Sequence, residues 1–129
     1  MPSNHRILVI EDECVLARNL KAFLGRGFPD VRIARDGEQA VAMLGTFTPD
    51  VAVIDYGLPR MSGLETYDEI VRRRARPIGC VMISGYPLET FAQSANARGI
   101  HHLLCKPFSL SELQQMVDRS AAEASRESP

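Results

Sequence analysis

The sequence predicts an α/β fold, a doubly wound (βα)5 domain built on a five-stranded parallel sheet. Three observations carry this. Short apolar runs alternate five times with segments whose apolar residues recur at helical spacing. The first run, Arg6–Ile10, is continuously apolar after its arginine, as a strand covered on both faces requires. Finally, three of the runs are followed at once by charged groups: Glu11-Asp12, Asp55 and Lys106-Pro107. In an open parallel sheet the carboxyl ends of the strands share one edge, and ligands bind there.

Each element has its own signal. After the strand Arg6–Ile10, Leu16, Leu20, Phe23 and Leu24 fall at helical spacing, and Gly27 and Pro29 close that helix. Val31–Ala34 is a short strand. Asp36 with Gln39 resembles a capping box that opens a second helix through Val41 and Leu44. Pro49 restarts the chain ahead of the strand Val51–Ile54, and Tyr56–Ser62 is a loop. Ser62 with Glu65 forms another capping box, leading a helix with Leu64, Tyr67, Ile70 and Val71 that Pro77 breaks. Ile78–Ile83 is the fourth strand, Ser84–Pro87 a turn, and Leu88–Arg98 a helix ended by Gly99. Leu103–Cys105 is the fifth strand. Ser109 with Glu112 caps the last helix, and Phe108 can staple onto Leu113. Residues 5–120 form the domain; after about Arg119 the chain turns rich in Ala, Ser and Glu, and 121–129 are expected to be a disordered tail.

Composition excludes several classes. The chain has 129 residues, 45% apolar and 24% charged, with a net charge of −1, so no overall field draws it to nucleic acid or membrane. No apolar run approaches the ~18 residues of a bilayer span, and the N-terminus lacks the apolar stretch of a signal peptide. Cys14, Cys80 and Cys105 are odd in number and lack metal-type spacing, which reads as buried free thiols in a reducing cytoplasm. The adjacent His101 and His102 would point to opposite faces of a strand, so they read as a strand-entry loop rather than a metal pair. Arg72–Arg74 with Arg76 reads as a solvated helix end, where cations complement the helix dipole.

The charged groups at the strand ends define the chemistry. Three carboxylates in one pocket repel, and one is pushed toward neutrality unless cations compensate. Lys106 supplies one cation; a bound metal would supply the rest. Winding in two directions from the first strand gives the order 2-1-3-4-5, which sets Asp12 and Asp55 facing each other across the switch point. The arrangement suggests a magnesium site that handles phosphate. Taken singly, each residue has a plain competitor: a turn-forming acid at Asp55, a helix N-terminal pair at Glu11-Asp12, a solvated loop lysine at Lys106.

Four pieces, ILVIEDE at 7–13, VAVIDYGLPRMSG at 51–63, VMISG at 81–85 and LLCKPF at 103–108, together resemble a bacterial response-regulator receiver domain, from about His5 to Val117. That family has a flavodoxin-like, chemotaxis-regulator-like fold of the same 2-1-3-4-5 order, so the order and the resemblance are not independent. The resemblance implies that Asp55 is the phosphoacceptor. Asp12 would bind Mg2+ (or Mn2+) directly, Glu11 through water, and the Gly57 carbonyl would be the backbone ligand. Ser84 would turn its hydroxyl to the phosphoryl group, Lys106 would be the family's lysine, and Gly85 would keep the mouth open to phosphodonors. A cis Lys106-Pro107 bond is also implied. So are a two-component phosphorelay, a histidine kinase or histidine phosphotransfer protein as donor, an unidentified output partner, and a cytoplasmic location.

The chain departs from the pattern in places. Leu103 stands where an aromatic is common, which puts the aromatic switch of the family in doubt. Ser84 replaces threonine, and Ile100 is bulkier than the usual alanine. No output module follows the fifth helix, which would take roughly 60 further residues; the start methionine favours an intact N-terminus. Two other functions compete. A haloacid-dehalogenase-like phosphatase also uses an Asp nucleophile and magnesium, but needs a second Asp where this chain has Gly57. A phosphate-independent adaptor would not need Asp55, Ser84 and Lys106.

Overall fold

A computed structural model describes residues 4–74 and 77–127. Strands and helices alternate along them: β1 (Arg6–Ile10), α1 (Cys14–Leu24), β2 (Asp30–Ala34), α2 (Gly37–Met43), β3 (Val51–Asp55), α3 (Gly63–Arg73), β4 (Gly79–Ser84), α4 (Leu88–Ala97), β5 (His102–Cys105) and α5 (Leu110–Glu127). The sheet is parallel throughout, in the expected order β2-β1-β3-β4-β5. Its register keeps the strand ends level. Ile10 lies opposite Ala34 and Ile54, Asp55 opposite Ile83, and Ser84 opposite Cys105.

Period-two alternation along the strands divides the core into two layers. Leu8, Ile10, Ala52, Ile54 and Met82 pack on one face with Ile70, Phe91 and Ile100. Ile7, Val9, Val53, Val81 and Ile83 pack on the other with Leu20, Leu24, Leu113 and Val117. Ile100 is buried, the bulkier contact its sequence position suggested.

Side-chain caps form at the three helix starts where the sequence signals them, one of them only in part, while α1 and α4 start without one. At α3 the Ser62 hydroxyl accepts from the Glu65 N–H and the Glu65 carboxylate accepts from the Ser62 N–H, a complete capping box. Ser109 and Glu112 make the same exchange at α5. At α2 Asp36 accepts from the Gln39 N–H, but the Gln39 side chain accepts from Arg35 N–H instead of Asp36, so only half of that box forms.

Several expectations need correction. The segment beyond residue 120 is no disordered tail within the described residues: α5 runs to Glu127. Ala121 and Ala124 are buried, Glu123 lies 2.9 Å from His102, and the Ser125 hydroxyl lies 2.9 Å from His5. Ala121 packs into the second core layer, and Ala124 lines a cavity beside the start of β4. The thiols also differ from the expectation. Cys80 is buried, Cys105 is half-buried, and Cys14 is exposed at the start of α1. The two histidines have separate partners, Asn96 for His101 and Glu123 for His102, and His102 already belongs to β5. Arg72 and Arg73 pair with Glu69 on the exposed end of α3; Arg76 lies outside the described residues.

Candidate functional site

The level strand ends bring the predicted residues together. Glu11 follows β1 and is fixed by its N–H donating to the Ala34 carbonyl (3.0 Å). Asp55 closes β3. Ser84 closes β4, and its carbonyl accepts from the Lys106 N–H (2.7 Å), which locks the β5–α5 connection onto the neighbouring strand. The Lys106-Pro107 bond is cis.

Carboxylate oxygens of Glu11, Asp12 and Asp55 all lie within 4.8 Å of one another. Glu11 is 1% exposed and Asp55 6%, while Asp12 faces solvent. The Lys106 ammonium reaches both buried acids, 3.2 Å from Asp55 Oδ2 and 2.9 Å from Glu11 Oε1. The contact with Asp55 is a hydrogen bond. The contact with Glu11 is an ion pair by distance, but Oε1 receives no directed hydrogen bond and is a buried oxygen without one. The other oxygens are engaged by backbone: Gly57 N–H donates to Asp55 Oδ1 (3.1 Å) and Glu13 N–H to Glu11 Oε2 (3.1 Å).

The electrostatics follow from this packing. Burial lifts the Glu11 carboxyl from its ordinary 4.5 to about 7; Lys106 and the Glu13 N–H pull it down, and the Asp55 charge adds to the rise. For Lys106, burial alone would lower the pKa. The Glu11 and Asp55 carboxylates outweigh burial, and the ammonium is held more firmly than usual. The site thus keeps its cation and is short of positive charge. Three clustered carboxylates, one with a buried oxygen lacking a directed donor, are a donor set that fits a hard divalent cation.

Ser84 is fully buried, and its Oγ accepts from the Tyr86 N–H (2.8 Å). An accepting hydroxyl still has its own hydrogen to donate. Leu103 is half-buried and packs against the first core layer. Tyr86 is exposed and meets Tyr56 edge-on at 5.8 Å; Tyr56 stacks on Phe91 at 4.8 Å. Gly85 is open, with nothing within 4 Å of where a Cβ would stand.

One neighbouring group escaped the sequence reading. Arg60, in the β3–α3 loop, pairs with Asp36 (2.7 Å) and Glu38 (3.3 Å) at the start of α2. Asp12, Arg35 and Arg60 line an open groove of about 650 Å3 beside the acids. An arginine after a proline in a turn carries no local signal of such a pairing.

The parallel sheet in this order, with clustered acids and a lysine at its carboxyl edge, is the architecture of a signalling receiver domain. The model of the response regulator receiver domain matches residues 7–118, and the chain belongs to that family. It is a receiver domain, the signalling domain of response regulators. It is 32% identical over 114 residues to the transcriptional regulatory protein PdtaR of Mycobacterium tuberculosis, covering 88% of this chain and 55% of that one. It is 35% identical over 115 residues to the regulator of RpoS of Escherichia coli, covering 87% of this chain and 33% of that protein. The chain thus spans about half the length, or less, of these curated relatives. Among solved structures, the Francisella response regulator 1452 receiver domain superposes with a TM-score of 0.79 at 26% identity, over 93% of this chain and 98% of that one. A CheY-like receiver domain protein from Methanospirillum hungatei superposes at 0.87 and 23% identity, over 97% and 99%, a likeness of fold.

Proposed function

We propose that Asp55 accepts a phosphoryl group from the phosphohistidine of a histidine kinase or histidine phosphotransfer protein, within a cytoplasmic two-component relay. The observation that supports this best is the Lys106 ammonium between two buried carboxylates at level strand ends, Glu11 and Asp55. Asp12, Asp55 and the Gly57 carbonyl would hold Mg2+, with Glu11 acting through water. When bound, the ion would supply the positive charge that phosphoryl transfer needs in its transition state.

The chain's own residues do the rest. An Asp55 carboxylate oxygen attacks phosphorus as the donor N–P bond breaks, and the leaving imidazole keeps the electron pair and takes a proton. Gly57 N–H fixes the Asp55 side chain while this happens. Lys106 binds a phosphoryl oxygen as a point charge. Ser84 turns its unspent hydroxyl hydrogen to the phosphoryl group and gives up its contact with the Tyr86 N–H. That release moves Gly85–Pro87 and the start of α4, where Tyr86 and Leu88 are exposed. Leu103 has no polar tip to alternate between solvent and core, so it plays no switching part.

The test is labelling with acetyl phosphate and Mg2+ followed by intact mass. One added phosphoryl group, absent in Asp55→Asn, is the expected result; full labelling of that variant would sink the assignment. Ser84→Ala should still label and lose phosphorylation-dependent partner binding. Leu103→Ala should keep it.

A further inference from the structure

We propose that Arg60 is a positioning residue for the metal-binding end of the site: it ties the β3–α3 loop to α2 and holds that loop in a strained turn. The inference rests on the proposed roles of Asp12, Asp55 and the Gly57 carbonyl.

The backbone supplies the first observation. Arg60 has φ +65, the one non-glycine residue with positive φ among the described residues. The Met61 N–H donates to the Pro59 carbonyl (2.7 Å), closing a three-residue turn with Arg60 at its centre. A γ-turn with positive φ is the rare, strained form, and an L side chain there persists only when its surroundings fix it. Glycine would sit there without strain.

The side chain shows what fixes it. Arg60 Nη2 donates to Asp36 Oδ2 (2.7 Å) and Nε to Glu38 Oε1 (3.3 Å). Asp36 is itself held, since its Oδ1 caps α2 through the Gln39 N–H. The start of α2 is pressed onto the same loop. A Cβ at Gly37 would stand 2.3 Å from Thr66 Oγ1 and 2.8 Å from Met61 Sδ. The loop is shut at its base as well, by the Gly63 N–H donating to the Tyr56 carbonyl (2.9 Å). Gly57 and its carbonyl lie within that closed loop, two residues after Asp55. A shift of the apex at Arg60 therefore reaches the backbone that is to meet the metal. Isolated exposed ion pairs contribute little to stability. These two oppose a strained turn next to a site, so their effect should appear in metal binding.

The experiment is a Mg2+ titration of the full chain followed by tyrosine emission. The chain has three tyrosines and no tryptophan, and Tyr56 adjoins Asp55. Arg60→Gly removes both anchors and leaves a conformationally free residue that nothing fixes in the turn. Its Mg2+ dissociation constant should rise roughly five- to tenfold, the scale of two modest ion pairs. The melting midpoint of the metal-free protein should stay nearly the same. Arg60→Lys, which keeps the charge, should restore part of the affinity. Asp36→Asn keeps an acceptor for the Gln39 N–H but loses the charge; it should weaken Mg2+ binding alone and add nothing in the Arg60→Gly background. Asp12→Ala separates the two readings. If it leaves Mg2+ affinity intact, the assigned metal site falls and this inference with it. If it abolishes binding while Arg60→Gly stays within about twofold of the parent, only the role of Arg60 falls. Additive effects of Asp36→Asn and Arg60→Gly would also overturn it.

Discussion

The two ends of the sheet carry similar side chains and settle their charges in opposite ways. At the amino end, around a cavity of about 210 Å3, Arg98 grips Asp68 with bonds of 2.9 and 3.1 Å and His102 meets Glu123. The Ser120 hydroxyl donates to the Cys80 carbonyl there, and the Asp50 carboxylate accepts from the Arg6 N–H. At the carboxyl end three acids share the Lys106 ammonium, and one buried oxygen has no directed donor. The first end is complete as folded. The second leaves three carboxylates around one ammonium, the imbalance that the proposed Mg2+ would correct.

The strongest way to break this contrast is to remove the lysine. Lys106→Ala leaves Glu11 and Asp55 buried without a cation and should cost about 3–5 kcal/mol in metal-free protein at pH 8. Saturating Mg2+ should recover much of it. Urea unfolding with and without Mg2+ measures both, and an unchanged midpoint without metal would contradict the imbalance.

A pH series sharpens the same point. The folded Glu11 carboxyl, at about 7, keeps a proton that the unfolded chain has released above 4.5. Stability of the metal-free protein should therefore fall as pH rises from about 4.5 to about 7, by up to about 3 kcal/mol, and level off above. Glu11→Gln should flatten that slope. Stability that rises across this window would show that burial does not govern Glu11.

Changes at the other end should touch folding alone. A Cβ at Gly79 would stand 2.8 Å from the Ser120 carbonyl, so Gly79→Ala should cost about 1–3 kcal/mol. Labelling of Asp55 by acetyl phosphate should proceed at the parent rate. The smallest effect is expected for Asp68→Asn, below about 1 kcal/mol, because the pair with Arg98 is largely solvated. A change in labelling rate from either variant would join the two ends energetically and dissolve the contrast.

Much of this was legible in the sequence because its signals are local. Apolar runs ending at Ile10, Ile54 and Ile83 locate the strands to within a residue or so, and an acid or hydroxyl just past each one falls at the sheet edge. Ser62 with Glu65 and Ser109 with Glu112 mark helix starts through contacts only three residues apart. What stayed hidden depends on distant partners. The length of α5 is decided by β4 and by His5 and His102, none of which its Ala/Ser/Glu composition reveals. Arg60 finds its acids more than twenty residues back, on α2. The exposure of Cys14 depends on which face of α1 turns outward, and an apolar count does not decide that for a residue on the first turn.

Two glycines near Asp55 have opposite prospects under mutation. At Gly63 a Cβ would stand 2.4 Å from the Asp55 carbonyl oxygen and 2.7 Å from Tyr56 Cα, so the first turn of α3 rests on the peptide of Asp55. No side chain fits there, and a randomised library should return glycine. At Gly85 the space is empty, so alanine, serine or larger residues should fold. Diversity at position 85, one residue past Ser84, would change the surface near the proposed acceptor Asp55 without replacing it. Varying that codon while freezing the one for Gly63 would test whether position 85 sets the size of phosphodonor that the proposed acceptor takes.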